Sequence, residues 1–168
     1  MPLVQFDLVE GRSADQVKAL LNAAHSSLVA AFRIPERDRY QIVREHPASH
    51  FVMEDTGLGI TRTQDRILVQ ITTRPRSRRA KEAFYHLLCE SLQKECGIEP
   101  SDVVVSMVTN ADEDWSFGNG RAQFLTGELE STSFEGPKAP ALSAIVRRSP
   151  ADLLTQVSCR ESAAQRRR

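Results

Sequence analysis

LVQFDLVEGRSADQVKALLNAAHSSLVAAFRIPERDRYQIVR, residues 3–44, reads as a strand, a helix and a second strand, and the same pattern returns without gaps 64 residues later. In the first pass, residues 3–9 (LVQFDLV) have the composition of a strand. Ser13 stands where a helix cap belongs. Behind it, residues 14–33 repeat apolar side chains at helical spacing: Val17, Leu20, Leu21, Ala24, Leu28 and Ala31. Ile34-Pro35 ends that helix, and residues 39–44 (RYQIVR) form the second strand. In the second pass, residues 66–73 (RILVQITT) make a strand and Ser77 is the matching cap. Residues 78–96 place Ala80, Phe84, Leu87, Leu88 and Leu92 on one helical face, Gly97 stops the helix, and residues 102–108 (DVVVSMV) make the last strand. Ser13 falls on Ser77, Ala19 on Ala83, Leu28 on Leu92, Ile34 on Ile98 and Asp38 on Asp102.

The fold class expected is α/β (α+β). Two pseudo-repeated βαβ units, about 2–44 and 66–108, form one four-stranded sheet with two helices on one face. A parallel pair needs a crossover helix, and one unit alone has too little core to stand. The opposite face of the sheet is then expected to be exposed and apolar, and oligomerisation is the natural way to cover it. Residues 45–65, with His46-Pro47, Phe51-Val52-Met53 and Gly57-Leu58-Gly59, form an irregular excursion, read as a hairpin. Residues 109–129 form an aromatic loop around Gly118-Asn119-Gly120. The domain closes near residue 129. Residues 130–168, rich in Ser, Ala, Pro and Arg, read as a disordered tail with one short helical stretch after Ser149-Pro150.

Composition narrows the function. The chain of 168 residues is 40% apolar and 26% charged with no net charge, so it carries no nucleic-acid footprint. Residues 131–168 hold seven basic against three acidic residues, a surplus of +4 that leaves −4 on residues 1–130. No signal peptide and no membrane-length apolar run is present. Cys89, Cys96 and Cys159 make no paired or metal-binding pattern, which fits reduced thiols and a cytoplasmic location. His25, His46, His50 and His86 form no metal-ligand spacing. No cofactor fingerprint is present.

Four features can carry chemistry. Pro2 becomes the amino terminus if Met1 is removed, and an α-amine titrates near ~8, close enough to neutrality to act as acid, base or nucleophile. Arg74 and Arg76 flank Pro75 between a strand and a helix cap. In extended chain they point the same way, as a carboxylate clamp or as a solvated basic turn. Asp38, just before the second strand, can hold an ammonium or activate water, or it can simply start the strand as Asp102 does in the other half. Trp115, Phe117 and Phe124 can wall a dry pocket or plug a subunit contact.

Taken together, the stretches FDLVEGRS, LLNAAHSSLVAAF, DRYQIVREH, EDTGLG, RPRS, DVVVSMV and DWSFGNGRAQFLTGEL resemble the tautomerase superfamily, and within it the malonate semialdehyde decarboxylases. The resemblance spans roughly residues 2–129. It implies a homotrimer that needs no cofactor. It matches Pro2 to a catalytic proline, Asp38 to an active-site aspartate, Arg74 and Arg76 to a substrate-binding pair, and Trp115, Phe117, Phe124 and Leu129 to a hydrophobic wall. The implied reaction converts malonate semialdehyde (3-oxopropanoate) to acetaldehyde and CO2, with hydration as a side activity. Alternatives are a keto–enol tautomerase, a 3-chloroacrylate dehalogenase or a non-catalytic binding module of the same fold. The dehalogenase alternative would draw on His25 and Glu128, neither of which sits in a recognisable pattern for it, whereas Arg12 resembles a substrate-binding arginine of the simpler tautomerases and keeps tautomerase activity open.

Overall fold

The computed structural model describes residues 1–129. Its main elements are β1 (Pro2–Val9), α1 (Ala14–Phe32), β2 (Tyr40–His46), β3 (Ile67–Thr73), α2 (Arg78–Cys96) and β4 (Val103–Thr109). Short 3-10 turns cover Ala48–His50, Pro100–Asp102 and Asp112–Asp114. The expected tail 130–168, with its short helix, lies outside the described residues.

Both helices start at the caps the sequence marks. The Ser13 hydroxyl accepts the Gln16 amide at 3.2 Å, while the Gln16 side chain accepts the Ser13 amide at 2.8 Å. Ser77 accepts the Ala80 amide at 3.1 Å. The helix ends are also related by the repeat. Gly97 closes α2 with a left-handed φ of 67°, and its counterpart Arg33 closes α1 with a φ of 52°. That conformation suits glycine, whereas arginine adopts it at a cost in strain.

Each unit pairs its own strands in parallel, β1 with β2 and β3 with β4, and the two units join through antiparallel β1 and β3. The resulting order is β2-β1-β3-β4. An antiparallel central pair between two like units gives the fold a pseudo-twofold axis. Ser27 and Ser91, 64 residues apart, meet across it where α1 and α2 pack, with their hydroxyl oxygens 3.3 Å apart.

Strand alternation sends Val4, Phe6 and Leu8 of β1 and Ile67, Val69 and Ile71 of β3 toward the helices. Leu20, Ala23, Ala24 and Leu28 of α1 and Phe84, Leu88 and Leu92 of α2 complete the core. Each Val, Leu, Ile or Phe among them contributes about 1.5–3 kcal/mol by leaving water.

The opposite face of the sheet is mixed rather than apolar. Gln5, Gln70 and Ser106 form a polar row across its middle, because the register pairs Gln5 with Gln70 and Gln70 with Ser106. Tyr40, Ile42 and Val108 are exposed apolar residues beside that row. The excursion 47–66 contains no strand and so no hairpin. Asp55 organises it instead, accepting the backbone amides of Gly57, Leu58, Gly59 and Ile60 at 2.9–3.2 Å. Two glycines in the left-handed region, Gly57 and Gly59, leave an Asx-type nest around one carboxylate instead of two paired strands. No helix among the described residues is long and apolar enough to cross a membrane.

Replacing Arg33 with glycine should raise the urea midpoint, by up to about 1 kcal/mol of added stability, at fixed protein concentration. A lower midpoint would mean that the arginine side chain contributes more than its backbone conformation costs.

Candidate active site

The sheet's register brings three separate parts of the chain to one place. Antiparallel pairing sets Pro2 opposite Thr73, so the amino terminus lies beside the end of β3, just before Arg74-Pro75-Arg76. Parallel pairing sets Leu3 opposite Tyr40, so the residues entering β2, including Asp38, lie beside the same terminus. A cavity of about 410 Å³ opens there, and Met1, Asp38, Tyr40, Arg74, Arg76 and Phe124 are among its lining residues. Leu129 lines it too.

The terminal ammonium, which Met1 carries in this chain, lies 3.4 Å from Asp38 Oδ2. Asp38 is buried, and its Oδ1 makes no hydrogen bond among the described residues. Pro2 itself is buried in β1, its nitrogen tied in the peptide bond to Met1. The amine titrates below the ordinary value of 8.0. Burial is the main cause. Asp38 opposes the shift through its charge and a hydrogen bond, while Arg76 and Arg74 add to it by repulsion. The neutral amine is therefore favoured in the folded chain. Its contribution to stability is complete above the unfolded value and is lost as pH falls through the lowered one.

Arg74 forms an ion pair with Asp112 through Nε and Oδ1, and its Nη2 donates to Oδ2 at 3.1 Å. Its guanidinium stands 4.8 Å over the Phe124 ring. Arg76 donates to Thr73 Oγ1 and to the Phe32 carbonyl, each at 3.3 Å, and lies 5.0 Å from the Phe32 ring centroid. Burial lowers the pKa of Arg76 from its ordinary value, repulsion from Arg74 lowers it further, and Asp38 partly offsets both.

The aromatics form a layered stack. Trp115 and Phe117 lie nearly parallel at 5.5 Å, and Phe117 meets Phe124 edge-on at 5.6 Å. Phe124 faces the cavity, while Phe117 stands behind it and Trp115 behind Phe117, with the indole N–H donated to Asn110 Oδ1 at 2.9 Å. Tyr40, 6.1 Å from Phe117, joins the stack from β2.

The pseudo-symmetric place in the other half is built differently. Arg12, the counterpart of Arg76, donates to the Val9 carbonyl at 3.1 Å and pairs with Asp65 at 3.3 Å. Asp65 occupies the position that Met1 holds in the first half. Asp102, the counterpart of Asp38, accepts from the Thr63 amide at 2.6 Å and its hydroxyl at 2.7 Å. Both aspartates thus brace the chain where it enters a central strand, but only Asp38 faces an amine. His25 bonds the Glu36 carbonyl at 2.7 Å and Glu128 pairs with Arg121 at 3.0 Å. Arg12, His25 and Glu128 do not line the cavity. No metal-binding cluster is present among the described residues.

Sequence reasoning missed Tyr40 and Asp112. Tyr40 was legible as one of two tyrosines in the chain, beside Asp38. Asp112 lies in an acidic run, 112–114, that carries no pattern of its own.

Two family models, both described as tautomerase enzyme, match residues 2–60 and 38–118. A probable tautomerase of Bacillus subtilis (strain 168), YrdN, is 52% identical over 129 residues, spanning 77% of this chain and 100% of that protein. This chain belongs to the tautomerase family. A second relative from the same organism, the probable tautomerase YusQ, is 35% identical over 74% of this chain and 99% of its own length. Among solved structures, a malonate semialdehyde decarboxylase superposes with a TM-score of 0.75 at 51% identity, covering 76% of this chain and 99% of that one. The FG41 malonate semialdehyde decarboxylase, inhibited by 3-bromopropiolate, gives 0.73 at 39%, covering 76% and 97%.

Asp38→Asn should move the terminal amine's titration to lower pH still, because Asp38 is what opposes the downward shift. Following the amine by 15N NMR or by competitive acylation measures this. A midpoint that stays or rises would uncouple the carboxylate from the amine.

Proposed function

We propose that this tautomerase-family enzyme decarboxylates malonate semialdehyde (3-oxopropanoate) to acetaldehyde and CO2 without a cofactor, using the amine of Pro2 after Met1 is removed. One observation carries the reading: a single cavity holds the chain terminus, a buried carboxylate and both arginines. The two solved malonate semialdehyde decarboxylases, at 51% and 39% identity, support the substrate class.

The chemistry follows from residue types. Arg74 and Arg76 take the substrate carboxylate, whose planar shape suits guanidinium donors. The protonated Pro2 amine donates to the aldehyde oxygen. The bond between carboxyl carbon and C2 then breaks. Its electron pair moves toward the polarised carbonyl as an enolate, CO2 departs, and C2 takes a proton to give acetaldehyde. In the alternative route Pro2 condenses with the aldehyde, water leaves, and the resulting iminium accepts the same electron pair; the enamine takes a proton at C2, and water then hydrolyses the C–N bond to release acetaldehyde and the free amine. The clamp must hold the carboxylate without favouring it over the transition state. The stack of Phe124, Phe117 and Trp115 with Leu129 excludes water, which favours departure of neutral CO2. Asp38 orients the amine or activates a water, the second role giving hydration. Tyr40, Ile42 and Val108 beside the polar row of the open sheet face suit a homotrimer, which sedimentation would show as three times the 18.8 kDa chain.

A keto–enol tautomerase is the second reading, favoured by the names of the two Bacillus relatives. It uses the same amine as an acid–base group, and the assays separate the two.

Intact mass should show loss of Met1, and Arg74→Ala and Arg76→Ala should each lower kcat/KM for malonate semialdehyde by about 100-fold or more. Near-parental rates in either variant would remove the clamp. Faster turnover of an enol pyruvate than of malonate semialdehyde would select the tautomerase reading.

A further inference from the structure

Among the described residues, four arginines line the cavity, and the two that are partly buried, Arg74 and Arg76, differ in what neutralises them. Arg74 is held at two points by Asp112, the first residue of the turn Asp112–Asp114. The pair is largely buried, with side chains 15% and 26% exposed, so solvent and salt screen it little. The Asn110 amide donates to the Thr73 carbonyl at 3.0 Å, which fixes this loop to the residue preceding Arg74. Among the described residues, the groups in direct contact with Arg76 are neutral, the Thr73 hydroxyl, the Phe32 carbonyl and the Phe32 ring, and the charge of Asp38 acts on it from further off. Among the described residues, no carboxylate stands within ion-pair distance of it. Of the cavity's other charged residues, the terminal ammonium and Asp38 face each other at 3.4 Å, while Arg33 and Arg37 are exposed to solvent, which screens them.

We propose that Asp112 is a specificity-determining residue, one that cancels the charge of Arg74 and so fits the cavity to a monocarboxylate in preference to a dicarboxylate. The inference deepens the proposed function and rests on the two arginines facing the substrate's carboxylate. A 3-oxo acid and the dicarboxylate formed by oxidising its aldehyde share a carbon skeleton and nearly a volume, so shape separates them poorly. Charge separates them well. A monoanion meets Arg76, which no carboxylate contacts among the described residues, while Arg33 and Arg37 stand exposed and screened by solvent. A dianion brings a second charge for which Arg74, already paired, offers no equal return.

Asp112→Asn keeps the side chain's size and one acceptor oxygen but removes the charge. Arg74 retains the Phe124 face as support. Asp112→Glu keeps the charge. Dissociation constants for malonate and propanoate, measured by calorimetry or NMR on the full chain, give the preference directly. In the Asn variant, malonate should gain on propanoate by roughly five- to tenfold, the size of one partly buried charge interaction. The Glu variant should stay within about twofold of the parent ratio, on the same scale of charge conservation. An unchanged ratio in the Asn variant, or parallel loss of both acids, overturns the inference, because Asp112 would then merely prop the loop. The parent protein separates this from the broader reading. If it binds propanoate and Arg76→Ala abolishes that binding, the clamp stands whatever Asp112 does. If it binds neither acid, the clamp fails and takes this inference with it.

Discussion

Antiparallel pairing of β1 with β3 is the constraint on which the rest depends. It joins two like units through their most buried strands, Val4, Phe6 and Leu8 against Ile67, Val69 and Ile71. Neither unit could bury its helix and strands alone, and the shared core gives both a reason to fold. The same register fixes the start of β1 beside the end of β3. A chain terminus is ordinarily the least restrained part of a domain. Here it is the first rung of a central strand, and the main-chain ladder holds it in line with Arg74 and Arg76.

The pseudo-twofold makes the divergence of the two halves readable. Equivalent positions carry Asp38 and Asp102, Arg76 and Arg12, Arg33 and Gly97. In the second half the corresponding side chains are taken up by the fold: Asp102 by Thr63, Arg12 by Asp65 and a carbonyl. In the first half the same positions are left with unspent capacity. Asp38 keeps a buried oxygen without a hydrogen bond among the described residues, Arg76 meets neutral partners, and Arg33 holds a strained left-handed cap at the cavity wall. A chain that needed only stability would satisfy both halves alike, and strain and unsatisfied polarity collect where chemistry is done.

Electrostatics in the cavity are a balance between burial and three charged neighbours. Burial lowers the amine's pKa and the arginines push in the same direction, while Asp38 resists. The result is an amine that titrates below its ordinary value, held there by burial against the pull of Asp38. On the proposed function, a carboxylate arriving at Arg74 and Arg76 would screen their repulsion of the amine and favour its protonated form.

The sequence by itself determined the elements. Apolar spacing gave both helices and all four strands nearly to the residue, and Ser13, Ser77 and Gly97 marked helix ends because capping is a local hydrogen-bonding problem. Pro2, Asp38, Arg74 and Arg76 stood out by residue type and position. The polar row Gln5, Gln70 and Ser106 was visible as letters, but its alignment across three strands depends on register, which local pattern does not specify between distant segments. The nest of amides around Asp55 replaced an expected hairpin because backbone turns, not apolar alternation, decided that stretch. Only tertiary structure could bring Asp112 to Arg74, 38 residues apart, or show that Phe124 faces the cavity while Trp115 and Phe117 stand behind it. Periodicity reports which face of an element is apolar. Which side chains then meet across the fold is set by packing, and packing is a property of the whole chain.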